Sequence, residues 1–564
     1  MKKMLLLVFM LASYTASADE QFTETKAIDA LFKQWEQPNM PGAALGVIKD
    51  GKLVYAKGYG LADLEHDVQI TPSSVFYIGS VSKQFVTFSL LLLEEQGKID
   101  LDDKIQKYLP DFPEYNSPLT IRHFIHHTSG VRDYLSLMAL KGRSYLDNAD
   151  VDEVYDLIKN QKELNFQPGE KYMYSNSCYF MLAMIVEKAS GQSMKSFAAE
   201  HIFKPLGMKS TLFHDDNKDL IKNRVFSYEK KTGGTGFNNL ISRFDLVGSG
   251  GVYTSIEDLF LWDQNFYNNK LGKGGQDLIN KMHQEGQLNN GTSSGYAFAL
   301  MNGKYKGMKT VHHSGSLAGY RSQLMRFPDE KVSVIILANR GDANPTRLTY
   351  QVADIVLKEQ FVKEVKEEVE NTEVFASWPL KISDQPGVKI EKGQITGNYE
   401  LRQGMILSVT LQEDKLNVLQ SWNQSTYNLE RTQGNTFEIP NDDAIQFTFS
   451  EISDNSTQLL TVFQNGRDSF WKRNKSKETS SLNLASYAGK YYSEELDASY
   501  LISVSGDNKL NVKIGSHQSY QLFPYDTDTF TAEGILMRFD NVNGMIEGFV
   551  LDGGRVKNLR FTKK

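Results

Sequence analysis

The sequence predicts an α/β (α+β) domain whose single sheet is built from both of its ends and carries helices on its faces, followed by two small all-β barrels. Three observations lead there. Strand patterns at residues 43–55 and 308–338 enclose a long middle that reads mostly as helix and loop. Past residue 371 the chain turns strand-rich. That last part also repeats itself. Gly397-Asn398-Tyr399 recurs as Gly489-Lys490-Tyr491, Lys415-Leu416-Asn417-Val418 as Lys509-Leu510-Asn511-Val512, Tyr427 as Tyr520 and Phe437 as Phe530, at a spacing of about 93 residues.

Taken in order, the chain opens with Met1-Lys2-Lys3, an apolar run from Met4 to Leu11, and Ala16-Ser17-Ala18. A basic start, a short apolar core and a small-x-small end make a secretory signal over residues 1–18, cleaved after Ala18. The run is too short to span a bilayer, and no cysteine follows it to carry a lipid. Export to the periplasm or the medium is expected, with no stable membrane span left after cleavage. The first domain is placed at 19–371. In it, Ala44–Ile48 and Leu53–Tyr55 flank Asp50-Gly51, a hairpin signal. A helix runs from about Ser80 to Gln96 and stops at Gly97. Strands follow at Met308–His313, Arg321–Phe327 and Val332–Ala338, the last two joined by Pro328-Asp329-Glu330. Joining the two ends gives a single mixed sheet. A helix from Leu348 to about Glu370 ends in a charged run, a solvated face. The barrels are placed at 385–475 and 482–564, with the polar stretch Lys475–Ser481 as their linker.

At 564 residues the chain has room for several domains. A net charge of −7 without a long basic run argues against nucleic acid as a partner. The lone Cys178 cannot form an internal disulfide and, beside Tyr179-Phe180-Met181-Leu182, reads as a small core residue.

The residues that carry chemistry come in three groups. Ser-x-x-Lys occurs three times, at Ser80/Lys83, Ser227/Lys230 and Ser469/Lys472, and only the first opens a strongly apolar helix. One helical turn puts i and i+3 on the same face, so the Lys83 amine reaches the Ser80 oxygen. The helix N-terminus favours developing negative charge there. A serine hydroxyl needs a neighbour to take its proton, and a lysine in a dry, electropositive pocket is neutral enough to do so. Second, Tyr174-Ser175-Asn176 offers a phenol for proton transfer and an amide for substrate or lysine. Tyr267-Asn268-Asn269 is a decoy at a helix terminus. Third, His313-Ser314-Gly315-Ser316 lies on a strand entering a turn, whereas Lys231-Thr232-Gly233 runs into a glycine-rich loop.

This order of Ser80-x-x-Lys83, Tyr174-x-Asn176 and His313-x-Gly315 resembles the class C beta-lactamase, penicillin-binding protein and D-aminopeptidase superfamily. The phrases Phe124–Gly130, Ile202–Met208 and Gly250–Ser255 fit the same family, over about Asp29 to Arg340. The resemblance implies a beta-lactamase-like antiparallel sheet flanked by helices, with a mostly helical subdomain. It makes Ser80 a nucleophile that forms an acyl-enzyme, activated by Lys83 and Tyr174. The backbone N–H groups of Ser80 and Ser316 form the oxyanion hole, and Asn176, His313, Ser314 and Gly315 bind substrate. Two small, lipocalin-like barrels after such a domain resemble the D-aminopeptidase branch, in which a barrel loop walls the active site; the sequence does not say which loop. Most beta-lactamases and penicillin-binding proteins have Lys at the place of His313, and a histidine is mostly neutral at pH 7, which disfavours recognition of a beta-lactam carboxylate.

The expected substrates are small peptide, amide or ester molecules. Peptides with D-residues, including cell-wall peptides, come first, esters second and beta-lactams third. A penicillin- or peptide-binding sensor with slow turnover is the alternative of another class, and an inactive scaffold a third. No cofactor is expected. His123, His126 and His127 cluster in sequence, as do His312 and His313, without a His-Glu-x-x-His run, so no metal is expected either.

Overall fold

Asp50 and Gly51 both take positive φ (49° and 77°), which folds Ala43–Lys49 (β1) tightly back on Lys52–Tyr59 (β2). A 3₁₀ turn over Gly79–Ser82 leads into the almost wholly buried helix Lys83–Glu95 (α1). The helix Asn176–Ser190 (α3) packs beside it, and Tyr134–Leu140 (α2) packs against α3. The strands Met301–Tyr305 (β3), Met308–Leu317 (β4), Tyr320–Phe327 (β5) and Val332–Ala338 (β6) complete a six-stranded sheet in the order β3-β4-β5-β6-β1-β2. The computed structural model describes residues 22–361 and 390–564, except 145, 233–234, 403–404, 421–424, 441, 454–455, 465–466, 475–481, 506–508, 516–517 and 533. The signal read at 1–18, the boundary at 371 and the linker 475–481 lie outside the described residues.

The two ends of the domain meet as expected, with β1 beside β6 from Ala43↔Ala338 to Lys49↔Val332. The sheet is antiparallel throughout and not mixed, because β3 to β6 follow one another through short turns that leave no room for a parallel crossover. Strand β3 went unread because Met301-Asn302-Gly303-Lys304-Tyr305 is a half-exposed edge with little apolar alternation. Strand β4 continues past His313 to Leu317, so the His-Ser-Gly-Ser run lies within a strand instead of entering a turn. The helix expected over 348–370 spans Pro345–Val356 (α4); Asn344 caps it and Pro345 opens it, both ahead of the apolar periodicity. Its charged continuation lies outside the described residues beyond 361.

Alternate residues of the sheet enter two cores. Leu45, Val47, Val334 and Ile336 pack with Val352 of α4 and Phe32, while Ala44, Ile48, Ile335 and Leu337 join the helical side.

Two closed eight-stranded barrels follow, built from sequential antiparallel strands within Gly397–Asn474 and Gly489–Lys563. The repeated phrases mark equivalent places. Gly397 and Gly489 take φ of 146° and 154°, and a Cβ there would strike Arg473 or Lys563 of the closing strand. The Tyr399 and Tyr491 hydroxyls each donate to the carbonyl four residues back, Ile395 and Tyr487. Val418 faces Tyr427 as Val512 faces Tyr520. Phe437 and Phe530 are both fully buried.

The barrels relate to the first domain differently. The first has its own core. The core of the second is continuous with the helical side of the first domain. There the buried Arg132 meets the buried Glu495 at 2.6 Å, Gln161 Nε2 donates to the Glu495 carbonyl, and Tyr500 Oη donates to Leu140 O at 2.6 Å. The barrels touch where Tyr525 Oη donates to Glu400 Oε1 at 2.7 Å. Among the described residues no helix is long and apolar enough to cross a membrane.

Candidate active site

Ser80 sits in the 3₁₀ turn and Lys83 one turn on, at the start of α1, so the helix aims its N-terminal end at both. Lys83 Nζ lies 3.0 Å from Ser80 Oγ, 2.9 Å from Asn176 Oδ1 and 2.5 Å from the carbonyl of Ser249. The Ser249 loop is held there by a small sheet in which Tyr77 pairs with Tyr253, and by Ser82 Oγ, which accepts the Val252 N–H. Burial pushes the lysine's pKa well down, the charge of Arg555 adds to that, and Asp133 opposes it. A neutral amine here can donate to Asn176 and Ser249 and turn its lone pair to the Ser80 hydroxyl.

Asn176 opens α3, and Asp133 fixes it. Asp133 Oδ2 accepts both the Asn176 backbone N–H (2.7 Å) and its Nδ2 (2.8 Å), while Oδ1 caps α2 through the Ser136 N–H (3.0 Å). Tyr174 precedes α3 and lies on His127, ring centroids 4.1 Å apart. His127 itself accepts the Ser175 N–H and is kept neutral by burial. The Tyr174 hydroxyl is buried without a hydrogen-bond partner among the described residues. Burial raises its pKa far above the ordinary phenol value.

The third group arrives on β4. His313 is buried, its Nε2 2.9 Å from the Tyr296 hydroxyl and its Nδ1 2.6 Å from the Ser314 carbonyl. Burial pushes it down to about 3, so it is neutral across the physiological range. Ser314 and Ser316 lie on the opposite pleat with exposed side chains. The backbone of Gly315–Ser316 presses against that of Ile78–Gly79: a Cβ on Gly79 (φ 52°) would stand 2.5 Å from Ser316 N, and one on Gly315 would stand 2.0 Å from Ile78 O. The Ser316 nitrogen thereby lies beside Gly79, the residue before Ser80.

A residue of the second barrel reaches the same group of side chains. Met545–Gly553 (β7) and Val556–Lys563 (β8) form a hairpin whose tip carries Arg555. Its guanidinium carbon lies 4.8 Å from the centre of the Tyr174 ring, and Nη1 is 3.5 Å from Asp133 Oδ2.

Comparison with known proteins agrees with this geometry. The beta-lactamase family model matches residues 27–357. The chain belongs to the beta-lactamase family. "Penicillin-binding protein 4*" of Bacillus subtilis strain 168 is 27% identical over 417 residues, 69% of this chain and 86% of the relative. A D-aminopeptidase of Brucella melitensis is 29% identical over 390 residues, 66% of this chain and 73% of the relative. Among solved structures, the octameric penicillin-binding protein homologue from Pyrococcus abyssi aligns with a TM-score of 0.55 at 20% identity, over 88% of this chain and 99% of that one. The D-amino acid amidase from Ochrobactrum anthropi SV3 aligns at 0.51 and 18%, over 60% and 99%. These two show the fold. The protein is thus a serine hydrolase of the beta-lactamase fold, with the two barrels appended.

In this family member the motif residues Ser80, Lys83, Tyr174, Asn176 and His313 converge, with the Gly315–Ser316 backbone beside them. The decoys do not join them. Ser227 Oγ bonds the Leu240 carbonyl and the Gly319 N–H, and Ser469 Oγ bonds Val462 O within a barrel. Lys231 and Thr232 are exposed between two short strands, and Gly233 lies outside the described residues. Cys178 is fully buried beside Ser129 Oγ, and burial pushes its thiol up to about 11. His126 is turned to the Tyr296 carbonyl. Three neighbours went unread in the sequence. Asp133 ahead of an apolar run carried a helix-cap signal that could have singled it out. Tyr296 and Arg555 carried none, since nothing local says what they reach.

Proposed function

We propose that this family member is an exported hydrolase that cleaves amide bonds of D-residue peptides, cell-wall peptides among them, through an acyl-enzyme on Ser80. The observation that carries the reading is the Lys83 amine, buried, lowered in pKa and 3.0 Å from Ser80 Oγ. Ser80 Oγ attacks the substrate carbonyl while its proton passes to Lys83. The raised pKa of Tyr174 leaves the phenol protonated at the start, which favours the amine as base and the phenol as donor. The oxyanion draws on the N–H groups of Ser80 and Ser316. Tyr174 gives its proton to the leaving nitrogen, the C–N bond breaks, and the phenol is reprotonated from Lys83. Water then attacks the ester, giving a proton to Lys83, and Lys83 passes it to Ser80 Oγ as the acyl–oxygen bond breaks and the acid leaves. Asn176, held by Asp133, orients Lys83 and the substrate amide; His313, Ser314 and Gly315 line the strand edge along which the substrate lies. The D-aminopeptidase named among the relatives supports D-residue amides as the first class. Esters follow, and an uncharged His313 puts beta-lactams third.

Release of p-nitroaniline from D-alanine and L-alanine p-nitroanilides, with Ser80→Ala alongside, tests the reading. Preference for the D form and a loss of at least about a thousandfold in the variant are expected. Full activity in Ser80→Ala would end the assignment. A stable covalent adduct with benzylpenicillin and no turnover of any acyl donor would favour the slow sensor instead.

A further inference from the structure

We propose that Arg555, delivered by the second barrel, is the anion-binding group of the cleft, so that the favoured substrate carries a carboxylate near the scissile bond rather than a free ammonium group. The inference rests on the reading that this cleft binds an acyl donor for Ser80.

The hairpin tip is seated from both sides. The Asp133 N–H and Asn165 Nδ2 donate to the Arg555 carbonyl, at 3.4 and 3.0 Å, the Arg555 N–H donates to Ser136 Oγ, and the Lys557 N–H donates to Asn165 Oδ1. The backbone is thus fixed, and the side chain leans over Tyr174. Lys83 Nζ and Arg555 Cζ lie 4.9 and 4.8 Å from the centre of that one ring. The guanidinium is not used up where it stands. Its contact with Asp133 is 3.5 Å, longer than the 2.7–2.9 Å of a charge-assisted hydrogen bond. Asp133 is buried and already accepts from Asn176 twice and from Ser136. The Arg555 side chain stays 45% exposed. Among the described residues its other donors have no partner, and an arginine fork so placed beside Tyr174 matches a carboxylate.

The other basic groups of the cleft cannot take this part. His313 is neutral and bonded through both ring nitrogens. Lys83 is buried, with its three contacts inside the protein. A cationic substrate terminus near Tyr174 would meet Arg555 as a like charge in a partly desolvated site. An arginine that merely staples the barrel to the domain would affect all substrates alike, and the test turns on that difference.

The test compares kcat/KM of the full-length protein for succinyl-, acetyl- and unmodified D-alanine p-nitroanilide, which carry a carboxylate, no charge and an ammonium group. The succinyl compound is expected to lead. Arg555→Gln should lower the succinyl-to-acetyl ratio about tenfold or more, Arg555→Glu should put the unmodified compound ahead of the succinyl one, and Arg555→Lys should keep part of the preference. Ratios unchanged in both the Gln and Glu variants overturn the proposal. Should none of the three anilides turn over, the reading of D-residue anilides as substrates fails separately. The preference is then read from calorimetric dissociation constants of Ser80→Ala, with and without Arg555→Gln, for succinyl- and acetyl-D-alaninamide. No preference for the succinyl ligand, or one that survives Arg555→Gln, overturns it.

Discussion

Replacing Glu495 by alanine is expected to loosen the second barrel from the first domain and withdraw the hairpin that carries Arg555. Arg132 is wholly buried and Glu495 is 5% exposed, so water cannot take over when the carboxylate goes. Two of the ties of Arg132 Nη1 and Nη2 remain, to Gln161 Oε1 at 2.8 Å and to Asn558 O at 3.1 Å, but neither carries a charge. Leaving a buried charge without its partner costs about 3–5 kcal/mol. Expressed as an equilibrium between docked and undocked barrel, that is about 150- to 5,000-fold. The replacement also removes the acceptor of the Lys162 N–H, in the same direction. Hydrogen exchange, followed peptide by peptide, should show 545–563 and 132–140 losing protection together, while the strands of the first barrel, which has its own core, keep theirs. The double variant Arg132→Met/Glu495→Leu should recover more than half of the loss, because the apolar pair leaves no charge behind. Unchanged protection at 545–563 in Glu495→Ala would refute the idea that this ion pair docks the barrel.

Gly79→Ala should cut kcat at least about a hundredfold while the fold persists, since its Cβ would force Ser316 N, 2.5 Å away, off the oxyanion edge; near-wild-type kcat with an unchanged near-ultraviolet spectrum would count against Ser316 as a donor. Acid should destabilise the protein early. Burial holds His126 and His283 down at about 4 and His313 at about 3, so between there and the unfolded value of 6.5 the unfolded chain binds more protons. Their contribution is whole above pH 6.5 and is lost as pH falls toward 4 and 3, by up to about 1.4 kcal/mol per pH unit for each histidine. Urea midpoints at pH 5 and pH 7.5 check this, and a midpoint no lower at pH 5 would contradict it. Cys178, with its thiol raised to about 11 and no exposure, should resist iodoacetamide at pH 8 until guanidinium is added, as read by mass spectrometry.

Much of the site was legible because its parts are local. Ser80 and Lys83 are one helical turn apart, Tyr174 and Asn176 flank a helix start, and Gly315 and Ser316 follow His313 along one strand, so spacing alone groups each set. The barrels were legible from recurrence, since each Gly-x-Tyr serves the same closing strand and the same hydroxyl bond. The edges misread were those where apolar periodicity is weak. Strand β3 is half exposed, and α4 starts at a cap and a proline ahead of its first apolar position.

By itself, then, the sequence determined the strongly periodic elements, the two-ended sheet, the doubled barrel and the three motif sets, because period, caps and spacing act over a few residues. Tertiary structure alone decided how they meet. Asp133 joins α2 to Asn176, Tyr296 turns to His313, and a hairpin hundreds of positions along the chain sets Arg555 over Tyr174. The pKa values of Lys83, Tyr174 and His313 were decided there too, since desolvation and the charge of a distant neighbour exist only once the chain has closed around them.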